Sequence, residues 1–202
     1  MSYIIVPTYN NGVWTETEFD TRDDFKDFVT SVFKPEGPDE GYNFDETSLI
    51  FNIEAKKFQK NGFYCSSPFK SKDYINYWDD QKLKCKSGII VKSGVNEWYI
   101  SRDYYMWLNF LPIYDKEEKR FDFAKVRDAQ YHMALYEILA ELNYEHCGVL
   151  KKRQIASSYF HMAKLINQYW FEEGAVLKIG ASLKDRSEEH TSELQSLAYL
   201  VC

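Results

Sequence analysis

Cys147-Gly148-Val149-Leu150-Lys151-Lys152-Arg153-Gln154-Ile155-Ala156-Ser157-Ser158 runs directly into Tyr159-Phe160-His161-Met162-Ala163-Lys164-Leu165. Cys147 to Leu150 read as a short apolar strand and Lys151 to Arg153 as a basic turn. Ser157-Ser158 then opens a helix that continues to Glu172 and ends at Gly174. Val176-Leu177-Lys178-Ile179-Gly180-Ala181 reads as a second strand. Strand, helix and strand with short connections make a βαβ unit, which predicts a parallel sheet and an α/β fold. A basic turn before a helix start is also how a phosphate-binding loop is built, because the free amides of the first turn and a nearby cation both attract anions.

Upstream, Phe123 to Tyr144 is the clearest long helix, with Val126, Ala129, Met133, Ile138 and Leu142 broadly on one side. Before it, Ser101 caps an aromatic run, Tyr104-Tyr105-Met106-Trp107-Leu108-Asn109-Phe110, which Pro112 stops. Ile89-Ile90-Val91 and Glu97-Trp98-Tyr99-Ile100 flank Ser93-Gly94 as a hairpin, and Ser71 to Lys86 reads as a helix with Ile75, Trp78 and Cys85 inward. Ser48 to Ile53 reads as a strand. The turn-rich, acidic stretch Pro35-Glu36-Gly37-Pro38-Asp39-Glu40-Gly41 marks a linker or exposed loop. At the N-terminus, Asn11-Gly12 predicts a hairpin, and Thr21 with Asp24 has the spacing of a helix cap. Phe25, Phe28, Val29, Val32 and Phe33 then follow at helical intervals, a stripe that reads as core rather than as a partner groove.

Composition sets the outer bounds. A hydrophobic share of 45%, with 16 Tyr and 14 Phe, supports a folded chain. No apolar run is long enough to span a membrane, and no secretory signal is legible, so a cytoplasmic protein is expected. Cys65, Cys85, Cys147 and Cys202 lack zinc-site spacing and read as reduced thiols. The formal charge of −6 gives no global attraction to nucleic acid. Lys82, Lys84, Lys86 and Lys92 beside Tyr74, Tyr77 and Trp78 mix cations and rings as a single-strand binder does, although solvated lysines beside core aromatics account for the same pattern. His161 and the adjacent pair Asp79-Asp80 are assigned no role.

The usual phosphate-loop pattern, GxxxxGK[ST], fits only in part: with Ser158 as the magnesium-binding hydroxyl, Ala156 stands at the second glycine and Ser157 at the lysine. The cations lie upstream. In this the segment resembles the ATPase motor of tailed-phage terminase large subunits, whose loops take forms such as RQxGxS or RQxGKT. Lys152-Arg153-Gln154-Ile155-Ala156-Ser157-Ser158 departs from the first only at Ala156, and Arg127-Asp128-Ala129-Gln130 matches the family's upstream RDxQ in order and distance. The aromatic segments Phe63-Tyr64, Pro68-Phe69, Tyr77-Trp78 and Tyr104 to Ile113 are similar to the region that precedes the ATPase core in some of these proteins.

The resemblance implies a P-loop NTPase start, preceded by an aromatic-rich α+β region. Residues 1–41 would form an N-terminal hairpin and helix, 42–115 an accessory region, and 116–185 the start of the ATPase domain. It implies ATP and Mg2+ as ligands, with Gln130 on adenine, Lys152 or Arg153 on the phosphates, backbone amides from Ile155 through Ala156 and Ser157 to Ser158 as the cradle, and Ser158 on the metal. DNA, a portal protein and a small terminase subunit would be partners, in the cytoplasm of an infected bacterium and not in the mature virion. The alternatives are another P-loop ATPase such as a helicase, and a non-enzymatic phage structural or interaction protein. Arg186-Ser187-Glu188-Glu189-His190-Thr191-Ser192-Glu193-Leu194-Gln195-Ser196 reads codon by codon as a translated sequencing-library adapter, so residues 186–202 are expected to be an artefact and the gene to be cut short near Asp185. The acidic residues that hydrolysis and DNA cleavage need would lie beyond that point, so the fragment is expected to be inactive by itself and marginally stable.

Overall fold

The structure, a computed structural model, describes residues 3–33, 51–94, 96–115, 119–150 and 157–177. Its first element is a hairpin, β1 (Ile4–Asn10) and β2 (Val13–Phe19), joined by Asn11-Gly12 with φ of 48° and 91° as a two-residue left-handed turn demands. Helix α1 (Arg22–Val32) starts in the expected box: the Thr21 hydroxyl accepts from the Asp24 amide while the Asp24 carboxylate accepts from the Thr21 amide. Then come α2 (Ile53–Asn61), α3 (Lys72–Ser87), the hairpin β3 (Ile89–Ser93) and β4 (Asn96–Ile100), and α4 (Arg102–Phe110). A small hairpin, β5 (Ile113–Asp115) with β6 (Arg120–Asp122), precedes α5 (Asp128–Leu142) and α6 (Ser157–Phe171).

The fold is mixed α/β. Its main sheet has four strands in the order β2-β1-β3-β4, antiparallel at both ends and parallel in the middle, where Thr8, Tyr9 and Asn10 lie opposite Ile90, Val91 and Lys92. Both faces are covered. Phe25 and Phe28 of α1 pack on Phe19 and Tyr99 on one side. On the other, α3 lays the Lys84 ammonium 3.8 Å from the centre of the Trp14 ring, which itself leans edge-on against Tyr9.

The hub is α4, whose residues from Asp103 to Phe110 are all buried, as befits a helix packed on every side. One continuous apolar cluster contains Val6 and Val29 from the first segment, Ile90 and Leu108 from the second, and Ile138 and Phe160 from the third.

Several expected elements are corrected. Of the strand expected at Ser48 to Ile53, residues 48–50 lie outside the described residues and Phe51 to Ile53 lead into α2, whose start Asn109 Oδ1 caps by accepting from the amides of Glu54 and Ala55. The helix expected from Phe123 begins at Asp128, because Arg127 is extended and its amide donates to the buried Tyr104 hydroxyl. The strand expected at Cys147 to Leu150 does not form. Val149 and Leu150 are exposed, and the run pairs with neither edge of the main sheet, β2 or β4, without which a four-residue strand has no ladder to hold it. Val176 and Leu177 are likewise not a strand. The expected βαβ unit therefore does not form among the described residues, and the parallel pairing comes from β1 and β3. Lys151, Lys152, Arg153, Gln154, Ile155, Ala156, Lys178 to Ala181 and the expected adapter tail 186–202 lie outside the described residues.

Candidate functional site

Two helix starts carry the sequence-predicted residues that the structure describes. Gln130 sits in the first turn of α5, where its amide donates to the Arg127 carbonyl at 3.0 Å, and Ser157 and Ser158 open α6. Both starts converge on one side chain, the fully buried Tyr104 of α4. Its hydroxyl lies 3.1 Å from the Arg127 amide, which donates to it. Its ring lies 6.3 Å from Tyr131 in the first turn of α5 and 5.9 Å, edge-on, from Phe160 in the first turn of α6. Burial raises the phenol well above its ordinary range, so it stays protonated at any working pH.

The helices leave that junction side by side in the same direction. Glu137 of α5 meets His161 and Lys164 of α6, at 2.9 and 3.0 Å, and one turn further along Glu141 meets Lys164 at 2.5 Å. Contacts that advance together along both chains, with Tyr131 and Phe160 both against Tyr104, give α5 and α6 the same general sense, so their positive dipole ends lie on the Tyr104 side. At 1.5 Å rise per residue, Gln130 lies about 10 Å back from Glu137 and Ser157 about 6 Å back from His161, so the two first turns are staggered by about one turn.

The interface between them is an ion-pair ladder. Arg102 extends it, reaching Glu141 at 3.3 Å and Glu172 at 2.6 Å. Burial opposes ionisation of Glu137, but hydrogen bonds from His161 and Lys164, one to each carboxylate oxygen, outweigh it and hold the carboxyl below its ordinary value. The same Glu137 bond raises His161 against the opposing effect of burial. At the ladder's edge Asp103 is buried, accepts from the Asn167 side-chain amide at 2.9 Å, and is pushed up by burial to about 6, with Arg102 pulling the other way.

Side-chain orientation divides the expected ligands. Ser158 is exposed, whereas Ser157 is turned inward, its hydroxyl 3.2 Å and its carbonyl 2.6 Å from His161 Nδ1. Gln130 is only 1% exposed, enclosed at the base of α5 rather than open to solvent. Clefts of about 460 and 640 Å³ lie elsewhere, the first among Arg22, Lys86, Arg102 and Glu141, the second among Phe58, Arg120, Phe121 and Phe123. No cluster of three or more His, Cys, Asp or Glu among the described residues could hold a metal. A Mg2+ carried mainly by phosphate oxygens and water needs no such cluster, and one exposed serine hydroxyl at a helix start fits it.

The mixed lysine and aromatic stretch resolves into local pairs. Lys82 meets Asp79 at 2.9 Å, Lys84 meets Asp80 at 2.7 Å and Lys92 meets Glu97 at 2.8 Å, while Lys86 faces the cleft that Arg22 and Arg102 also line. Cys65, Cys85 and Cys147 carry free thiols. No helix of the described residues is long and apolar enough to cross a membrane.

Two residues of the site escaped sequence reasoning. Glu137 and His161 stand 24 positions apart on separate helices, so only the Ser157 and His161 spacing of one helical turn was there to be read. In comparisons with known proteins, no family model, no curated protein and no solved structure matches the chain.

Proposed function

We propose that the chain is the leading part of a terminase-like, ATP-driven DNA-packaging motor, with its nucleotide held across the convergent first turns of α5 and α6. The observation that carries this reading is the meeting of the Arg127-Asp128-Ala129-Gln130 turn and the Ser157-Ser158 turn on Tyr104. Two motifs that the sequence keeps nearly thirty residues apart thereby share one end of the molecule, and two helix dipoles direct positive potential toward the same volume.

In this reading the first-turn amides of α6 and a cation from Lys152 or Arg153 hold the phosphates. The exposed Ser158 hydroxyl is a ligand for Mg2+, which when bound would neutralise charge on the transferred phosphoryl group. Gln130 recognises adenine after its side chain swings out of the enclosed position at the base of α5. The hydrolytic acid and the DNA-cutting carboxylates belong to the parent protein's further sequence. DNA, a portal ring and a small terminase subunit are its proposed partners.

The test is titration of a fluorescent ATP analogue with Mg2+ into the purified chain, read by anisotropy. Binding should weaken at least about tenfold in Ser158→Ala, the size of one charge-assisted contact, and further in Lys152→Ala combined with Arg153→Ala. Lys82→Ala, on the exposed side of α3, should bind like the wild type. No binding at millimolar nucleotide would sink the reading in favour of a non-enzymatic role. Binding with no effect of Ser158→Ala would move the site elsewhere.

A further inference from the structure

We propose that Glu137 and His161 form a proton-dependent clasp that positions the first turn of α6 for its ligand. The inference rests on the nucleotide reading above for the identity of that ligand, and on geometry alone for the clasp. His161 is placed to donate from both ring nitrogens at once: Nε2 faces Glu137 Oε1 at 2.9 Å and Nδ1 faces the Ser157 carbonyl at 2.6 Å. Only the imidazolium carries both protons, so the clasp closes when the ring is charged and loses one of its two bonds when it is neutral.

The arrangement also argues against reading Ser157, His161 and Glu137 as a nucleophile triad. In a triad the ring nitrogen nearest the serine accepts the hydroxyl proton. Here that nitrogen's shorter contact is the Ser157 carbonyl, toward which it must donate, and the hydroxyl is further away at 3.2 Å. The serine is also enclosed, at 3% exposure. What the contacts do is fix the Ser157 peptide and, with it, the direction in which Ser158 and the first-turn amides point.

Charged groups on every neighbouring element act on this ring. Glu137 faces it from α5, with Glu141 one turn beyond. On its own helix Lys164 sits between those two carboxylates, and on α4 Arg102 and Asp103 continue the ladder. Lys164 takes the second oxygen of Glu137, so Glu137 keeps a cationic partner when His161 is neutral. Deprotonation therefore opens one end of the clasp without collapsing the interface.

Two measurements on the full chain test this. Hydrogen exchange over residues 157–165 between pH 6 and pH 8.5 should show protection falling about tenfold as the ring deprotonates, the scale of one charge-assisted hydrogen bond. That fall should be absent in His161→Arg, which keeps a fixed charge, and protection should already be low at pH 6 in Glu137→Gln. The ATP-analogue titration run alongside should weaken over the same pH range in the wild type and stay level in His161→Arg. Exchange that is independent of pH, or unchanged by Glu137→Gln, overturns the clasp whatever the nucleotide does. A clasp present by exchange in a chain that binds no nucleotide overturns the nucleotide reading, and exchange then upholds the clasp by itself.

Discussion

Asn109 is buried completely in the last turn of α4 and uses all of its side-chain capacity. Its carbonyl oxygen accepts from the amides of Glu54 and Ala55, and its amide donates to the carbonyls of Phe51 at 2.7 Å and Tyr105 at 3.1 Å. A helix start otherwise leaves its first amides without partners, and burial makes each orphan expensive. Asn109→Ala should therefore destabilise the chain by roughly 3 kcal/mol, from several buried groups losing partners at once. A lower denaturant midpoint with an unchanged slope would show it, and a shift below about 0.5 kcal/mol would mean the α2 start finds another acceptor. Nothing near Asn109 in the sequence announces this, because its partners at the start of α2 are more than fifty positions away. Thr21 and Asn11-Gly12 were legible for the opposite reason: cap and turn are made within four residues.

Elements were read best where local chemistry ends them, and worst where a distant partner decides. Ser71 and Ser101 cap α3 and α4 as their spacing implies, each accepting from the amide three residues on. Cys147 to Leu150 has a strand's composition but lacks a neighbouring strand, and composition alone cannot supply a ladder. The junction between α3 and β3 is the sharpest case of an element boundary fixed by one residue. Gly88 has φ of 74°, its amide closes α3 on the Lys84 carbonyl at 2.9 Å, and a Cβ there would overlap the Ile100 carbonyl oxygen and come within 2.9 Å of the Tyr99 ring. Neither neighbour can withdraw, since Ile100 is in the ladder with Ile89 and Tyr99 holds the Ser87 carbonyl. Gly88→Ala should cost about 3 kcal/mol or more, combining left-handed strain with steric overlap. Thermal melting would register it as a large drop, whereas Gly62→Ala, with left-handed φ but open space around it, should lose only about 1 kcal/mol.

At the scale of the whole molecule, the parallel pairing of β1 with β3 and the shared core join segments that the sequence presents as separate, and no periodicity encodes which strand meets which. The same integration makes stability a function of pH through groups on three different helices. Asp103 on α4 has a folded pKa raised from 3.8 to about 6, so its contribution is fully present below 3.8 and is lost as pH rises through about 6. His161 on α6 is raised above 6.5, so its contribution is present below 6.5 and disappears as pH climbs through the folded value. Glu137 on α5 is depressed below 4.5, so its share is present above 4.5 and vanishes as pH falls through the folded value. Lys164, raised by Glu141 and Glu137 against burial, stays charged throughout and contributes no slope here. Asp103 and His161 therefore favour acid and Glu137 resists it, which puts the stability maximum from these groups at about pH 4, where the gain from Glu137 meets the loss from Asp103. Asp103 alone should lower the alkaline side by about 1.5 kcal/mol between pH 5 and pH 8, with His161 adding to the fall. Asp103→Asn keeps an acceptor for Asn167 while removing the buried charge, so its thermal midpoint should equal or exceed that of the wild type at pH 8, with a flatter alkaline limb. Melting curves from pH 4 to 9 for both chains decide it: a wild-type alkaline limb no steeper than that of Asp103→Asn would mean the Arg102 charge, rather than burial, governs Asp103.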